Sequence, residues 1–182
     1  MASLQERIIG AMRLDSNTFE EVERDETATG QAMLVVIAAG IAAAIGAIGR
    51  GGFRFMFVLL FAAIVGWFIW AFLTFLIGTK LMPEKQTNAD LGQMLRVLGF
   101  SAAPGLLNVL GFIPFFGWII GFIAGVWQLA AMVVAVRQGL DYTSTGRAVL
   151  VCIVGWLVYM IFSVMMATMF GGMAAMGRGF GM

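Results

Sequence analysis

Four stretches of this chain carry no charged side chain, and their lengths constrain the fold more than any other feature. Thr27 to Gly49 runs 23 residues, Phe55 to Thr79 runs 25, Val97 to Val136 runs 40, and Ala148 to Gly177 runs 30. A helix needs about 20 apolar residues to cross a hydrocarbon core of ~30 Å. The longest run would make a helix of about 60 Å, which is two crossings. Ile113-Pro114-Phe115-Phe116-Gly117 marks the break inside it, because Pro ends one helix and the next can start just beyond. The pattern predicts five spans at 31–49, 55–78, 96–112, 116–136 and 148–170. Each is continuously apolar, without the in–out alternation of barrel strands.

The expected fold class is therefore all-α, a polytopic membrane protein. A five-helix transmembrane bundle occupies 31–170, behind a short amphipathic and acidic cytoplasmic segment at 1–30. A Gly/Met-rich, non-cytoplasmic tail at 171–182 follows it. The third span holds Ser101, Pro104 and Asn108. A kink at Pro104 is expected there, with a re-entrant segment as the alternative.

Composition narrows the function classes. The chain is 61% hydrophobic and 12% charged, against about 45–50% and about 25% in soluble domains. A disordered chain, a nucleic-acid binder and an ordinary soluble enzyme are excluded. The net charge is +1, so no basic footprint for nucleic acid exists. With no His and one Cys, the chain lacks the usual residues of zinc, haem and Ser-His sites, and an intrachain disulfide is ruled out. No catalytic, cofactor-binding or metal-ligating residue is assigned.

Orientation follows from the loops. The N-terminal segment, loop 79–95 and loop 137–147, with Arg96 at the start of the third span, hold eight Lys and Arg, against Arg50, Arg54 and Arg178 on the other side. The positive-inside rule places the N-terminus in the cytoplasm and the tail outside. The first 30 residues lack a basic region followed at once by an apolar stretch, so no cleaved signal peptide is expected. They read as two short helices. In the first, Leu4, Ile8 and Met12 share a face opposite Glu6 and Arg13, which suits a helix in the membrane interface. Thr18 and Glu21 have capping-box spacing for the second. Its body, Phe19 to Glu26, has five acids against one Arg.

No carboxylate falls inside a predicted span: Glu84, Asp90 and Asp141 lie in loops, and the other seven acids precede residue 27. Proton- or sodium-coupled transport usually needs ionisable groups at depth, so that class is disfavoured. Asn108 and Gln128 are the main polar groups at depth, read as hydrogen-bonded to neighbouring helices or as lining a polar path. Gly117, Gly121 and Gly125 repeat at every fourth position, and Ala38, Ala42 and Gly46 form a similar ridge. Such faces let backbones approach, either within the monomer or between copies. Met165, Met166, Met169, Met173 and Met176 could offer soft thioethers to Cu(I), or simply fill irregular apolar surface. Cys152 reads as a small buried apolar residue. Gly49 to Arg54 reads as a tight hairpin between spans, with no phosphate-loop context.

One stretch goes beyond composition. Thr87-Asn88-Ala89-Asp90 precedes Leu95-Arg96-Val97-Leu98-Gly99-Phe100-Ser101-Ala102-Ala103-Pro104, then Ile113-Pro114-Phe115-Phe116-Gly117-Trp118. Val126-Trp127-Gln128-Leu129, Ala135-Val136-Arg137, the loop Asp141 to Thr145 and Arg147-Ala148 follow. This resembles the YIP family, named for interaction with Ypt/Rab-type GTPases. Gly99, Phe100 and Pro104 match its aromatic Gly-Tyr/Phe-x-x-x-Pro segment, Pro114 and Gly117 its Ile-Pro…Gly turn, and Trp127 the Trp of its fourth span. The resemblance implies five spans and a cytoplasmic N-terminus, with vesicle traffic as the setting of eukaryotic members. The chain lacks their Asp-Leu-Tyr-Gly-Pro element, which speaks against a Rab-type GTPase partner, and its short N-terminal preface, without a long cytoplasmic domain, fits a prokaryotic member in the inner membrane.

The expected function is non-enzymatic: a membrane-organising or partner-binding module, with a small-solute channel or transporter component as the alternative. Expected partners are membrane lipid and either copies of itself or other membrane proteins. Glu20, Glu21, Glu23 and Glu26 are the candidate docking residues. Their segment carries a net −4 beside an anionic leaflet that repels it. Docking to a basic partner, or to Arg96, Arg137 and Arg147, would explain it, as would a solvated linker.

Overall fold

The structure is a computed structural model. It describes the backbone of residues 2–113 and 115–179, and the side chains of these outside 48–56, 162–163 and 166–179. Seven α-helices follow in order among the described residues: α1 (Leu4–Met12), α2 (Ser16–Arg24), α3 (Ala28–Gly46), α4 (Ile48–Leu76), α5 (Leu91–Phe100), α6 (Gly117–Gly139) and α7 (Thr145–Gly179). A π-helical turn, Ile77–Leu81, extends α4, and a 3₁₀ segment, Ala103–Phe112, continues from α5. Four segments are long and apolar enough to cross a membrane: Ala28–Gly46, Phe57–Leu81, Leu91–Phe112 and Gly117–Gly139. Thr145–Ile161, the described apolar part of α7, is shorter.

The third span is broken rather than kinked. Asp90 caps α5 by accepting from the Gln93 N–H at 2.8 Å, while Gln93 Oε1 accepts from the Asp90 N–H at 2.6 Å. The helix stops at Ser101-Ala102. Pro104 lies at the first turn of the 3₁₀ segment, where its missing N–H leaves no bond unmade. Ten 3₁₀ residues is long for this conformation. Close packing against α3 accompanies it: an added Cβ on Gly46 would stand 2.1 Å from the Asn108 carbonyl oxygen. Only glycine fits where the two backbones meet.

Two expectations at helix starts and turns are corrected. Thr18 is not the cap of α2. Asp15 holds that place, accepting from the Asn17 N–H at 3.1 Å, because α1 ends early enough for the acid to begin the next helix. The backbone from Ile48 to Arg54 is helical, so the reversal between the first two spans occurs at Ala47, not over Gly49 to Arg54.

Helices α1 and α6 end alike. After α1 the Asp15 N–H donates to Gly10 and the Leu14 N–H to Ala11, with Leu14 at φ 60°. After α6 the Tyr142 N–H donates to Arg137 and the Asp141 N–H to Gln138, with Asp141 at φ 53°. Both are Schellman closures, which satisfy the last helical carbonyls. The second one aims Tyr142, buried at 3% exposure, so that its hydroxyl donates to the carbonyls of Gly78 at 3.1 Å and Met82 at 2.7 Å. Those carbonyls belong to the π turn and its end, whose irregular ladder leaves backbone acceptors open.

Candidate docking face and intramembrane cavity

The N-terminal helices fold back onto the spans. Phe19 and Val22 of α2 and Ala11 of α1 are fully buried in the same core as Met94, Val97 and Phe100 of α5. Leu4, Ile8 and Met12 also pack against that core, so the face expected to meet lipid meets protein. Trp127 anchors α1 from α6: its indole N–H donates to the Met12 carbonyl at 2.7 Å.

Two arginines organise this cap. Arg7, 1% exposed, donates to Glu21 at 2.9 Å, Asp25 at 2.6 Å and Gln31 at 2.9 Å. Burial opposes its charge, but the hydrogen bonds to Asp25 and Glu21 prevail and raise its pKa. Its Nε is buried with no partner among the described residues. Arg96, 6% exposed, donates its Nε–H to the carbonyls of Val22 and Glu23, each at 3.0 Å, and its Nη2 also donates to Glu23. The last turn of α2 has carbonyls without helical partners and the negative end of its dipole, both suited to a guanidinium.

The four candidate docking acids separate. Glu21 accepts from Arg7 and from the Ala2 N–H at 3.0 Å; that backbone bond first, then Arg7, lowers its pKa. Glu23, 6% exposed, accepts from Gln93 Nε2 at 3.1 Å, and burial, then nearby Asp141, pushes its carboxyl up to about 7. Glu20 accepts from Gln138 at 2.9 Å and from Arg24 at 3.3 Å. Glu26 is exposed, and its carboxylate makes no hydrogen bond among the described residues. Asp25, absent from the expected set, is held down to about 2 by the Thr27 hydroxyl and by Arg7. An open cleft of about 900 Å³ lies among Arg7, Glu20, Glu21, Arg24, Asp25 and Glu26.

The two loops expected on the same side join the cap's side of the bundle. Thr143 donates its N–H to Glu84 at 3.0 Å and its hydroxyl at 2.9 Å, and Arg147 pairs with Glu84 at 3.4 Å. The backbone bond from Thr143 is the largest of the effects that lower the Glu84 pKa. Gln86 reaches the Asp141 carbonyl at 3.1 Å. Residues 79–95 and 137–147 therefore meet each other, and Gln93 and Gln138 tie them to α2.

The family-motif residues fall in different surroundings. Gly99 admits α3 closely, since an added Cβ would stand 2.6 Å from the Ala32 Cβ. Phe100 and Pro104 are buried. Gly117 meets the Gly111 backbone, where an added Cβ would stand 2.2 Å from its carbonyl oxygen. Among the described residues Gly121 has one contact at 3.9 Å and Gly125 has none within 4 Å, so these do not bring the three glycines into one close-approach face. Pro114 and the side chains of Met166, Met169, Met173 and Met176 lie outside the described residues.

A second space of about 960 Å³ lies between the spans. Helices α3, α4, α5, α6 and α7 and the 3₁₀ segment all line it, with Trp67, Trp70, Asn108, Gln128 and Cys152 among its walls. Asn108 and Gln128, singled out as polar groups at depth, thus share one cavity. The fold and the cavity define a polytopic helical membrane protein. The Yip1 domain family model matches residues 9–174, nearly the whole chain, and the chain belongs to that family. No curated protein and no solved structure matches it.

Proposed function

We propose that this protein is a non-enzymatic, partner-binding or membrane-organising module of the YIP type, working through the face built by α1, α2 and loops 79–95 and 137–147. The observation that carries the reading is the arrangement of the acids. Arg7 and Arg96 fix α2 in place, while Glu26 remains free and Glu20 stands partly exposed beside the open cleft. A rigid scaffold presenting one carboxylate without a partner among the described residues, with the half-exposed Glu20 beside it, suits a basic partner. The charge asymmetry of the loops supports a cytoplasmic position for this face, which in our reading is the anionic side of a prokaryotic inner membrane.

The test is recovery of partners from native membranes in mild detergent. Glu20→Gln with Glu26→Gln should reduce recovery, Glu26→Gln alone should do so with the melting profile unchanged, and both losses should vanish at high salt. Full recovery by this double variant would refute the docking role. A second reading, a small-solute channel or transporter component, is supported by the shared cavity of Asn108 and Gln128. Selective, saturable flux in liposomes would favour it over the docking module.

A further inference from the structure

We propose that the cavity between the spans binds an uncharged lipid, whose hydrocarbon fills the apolar walls and whose hydroxyl or carbonyl group pairs with Gln128 and Asn108. This goes beyond the docking role, on which it does not depend. A space of about 960 Å³ lined mostly by apolar side chains gains dispersion contacts from any chain that fills it. Water is a poor occupant, because each molecule needs two to four polar partners and the walls are mostly apolar. Leu129, Trp156 and Leu157 line the space yet are 58%, 54% and 49% exposed, so it opens sideways between α6 and α7. In a membrane such an opening faces hydrocarbon.

The polar groups narrow the occupant further. Ser101 is committed to the Leu98 carbonyl at 2.8 Å, and Asn108 Nδ2 donates to the Gly105 carbonyl at 3.0 Å. The Gln128 side chain makes no hydrogen bond among the described residues. A Cβ on Gly105 would stand 3.2 Å from Gln128 Oε1 and 3.8 Å from Asn108 Nδ2, so both amides flank one glycine. An unpaired amide away from water is costly, and a ligand hydroxyl or carbonyl would satisfy it. No charged residue lines the cavity among the described residues, and a phosphate headgroup drawn to this level would find no counter-charge there. An uncharged lipid meets both conditions, with Trp67 as a flat apolar wall and the Trp70 indole N–H, buried without a partner among the described residues, as a further donor.

The experiment uses the full chain in phosphatidylcholine nanodiscs with two probes carrying the same diazirine acyl chain, a diacylglycerol and a phosphatidylcholine. Crosslinked sites are mapped by mass spectrometry. The diacylglycerol should label segments 62–70 and 128–133 saturably, with competition by unlabelled diacylglycerol, and the phosphatidylcholine should not. Gln128→Leu should weaken half-saturation roughly tenfold, the effect of one lost hydrogen bond. Cys152→Phe should abolish saturable labelling by filling the space. Equal, non-saturable labelling by both probes would mean that the cavity is merely solvated by bilayer chains and would overturn the proposal. Labelling confined to outward-facing residues, or crosslinks showing a second copy or the chain's own C-terminal segment in the cavity, would overturn it too. If either variant fails to fold, the two probes and the competition on the unmodified protein decide the outcome.

Discussion

Arg96 of α5 holds the end of α2 by donating its Nε–H to the Glu23 carbonyl at 3.0 Å, across 73 residues of sequence. The same group reaches the Val22 carbonyl at 3.0 Å, so one guanidinium closes two backbone acceptors that α2 cannot satisfy itself. The position is buried, and removing the donor would leave those acceptors desolvated.

Arg96→Met keeps the length of the side chain and deletes its donors. It should loosen the N-terminal helices by about 3 kcal/mol, the cost of breaking a buried, charge-assisted contact. Limited proteolysis near Thr27 reads this directly, with cleavage faster than in the parent. Arg96→Lys should fall between the two, because a single ammonium cannot reproduce the planar fork. Unchanged cleavage in the Met variant would show that α2 is held by its apolar face alone.

The acids should divide in the same assay. Glu21→Gln removes an ion pair to buried Arg7 and should raise cleavage, at about 1 kcal/mol because Glu21 is 39% exposed. Asp25→Asn should act in the same direction, since its carboxylate faces Arg7 at 2.6 Å. Glu26→Gln should change nothing. Equal effects from all three would point to overall charge rather than to the Arg7 pairs.

Much of this architecture was legible from charge spacing. The runs without charge mark four apolar segments within a few residues of their observed bounds, because hydrocarbon thickness sets a length that sequence must meet. The grouping of loops 79–95 and 137–147 with the N-terminus was legible for the same reason. The break at Ser101-Ala102 was hinted at by Pro104, but a long 3₁₀ segment depends on α3 approaching at Gly46, which no local pattern records. The docking of α1 was missed although a signal existed. Arg7 sits in the stripe of Leu4, Ile8 and Ala11, and a cation inside an apolar stripe needs a partner. Glu21 and Asp25 lay in plain view as that partner. What spacing could not show is that Arg96 would choose carbonyls rather than carboxylates, since backbone acceptors are invisible in sequence.

Topology gives the third prediction. In a Cys152→Ser background, cysteines at Ser3 and Thr143 should react with an impermeant thiol reagent only from the cytoplasmic side. One at Gly179 should react only from outside. Gln93 and Gln138 tie the two loops to α2 through Glu23 and Glu20, so Ser3 and Thr143 should agree whatever the span count. Labelling of Gly179 from the cytoplasm would mean an even number of crossings.

The glycines of α6 give the fourth. Gly117→Ala forces a Cβ against the Gly111 carbonyl oxygen and should destabilise by about 1–3 kcal/mol, seen as a lower melting temperature in detergent. Gly125→Ala meets nothing within 4 Å among the described residues and should be neutral in the monomer. A change in elution volume for Gly125→Leu would show that a second copy covers that face.

The last prediction is a pH dependence set by Glu23. Around its carboxyl stand Glu20 and Arg24 on α2, Gln93 and Arg96 on α5, and Asp141 after α6. Burial, reinforced by Asp141, raises its folded pKa from 4.5 to about 7. The folded state therefore holds this proton more tightly than the unfolded one. The stabilisation is fully present below pH 4.5 and fades as pH rises through about 7. Glu21 and Asp25 have lowered pKa values, so their contributions are lost only as pH falls below the ordinary carboxylate range and do not interfere above it. Protection of the Thr27 region from protease should therefore be greater at pH 5.5 than at pH 8. Glu23→Gln, which keeps the shape and stays neutral, should hold the protected level across the whole range. A variant with the parent's pH profile would assign the effect to another group, and a parent with no profile would place Glu23 in contact with water.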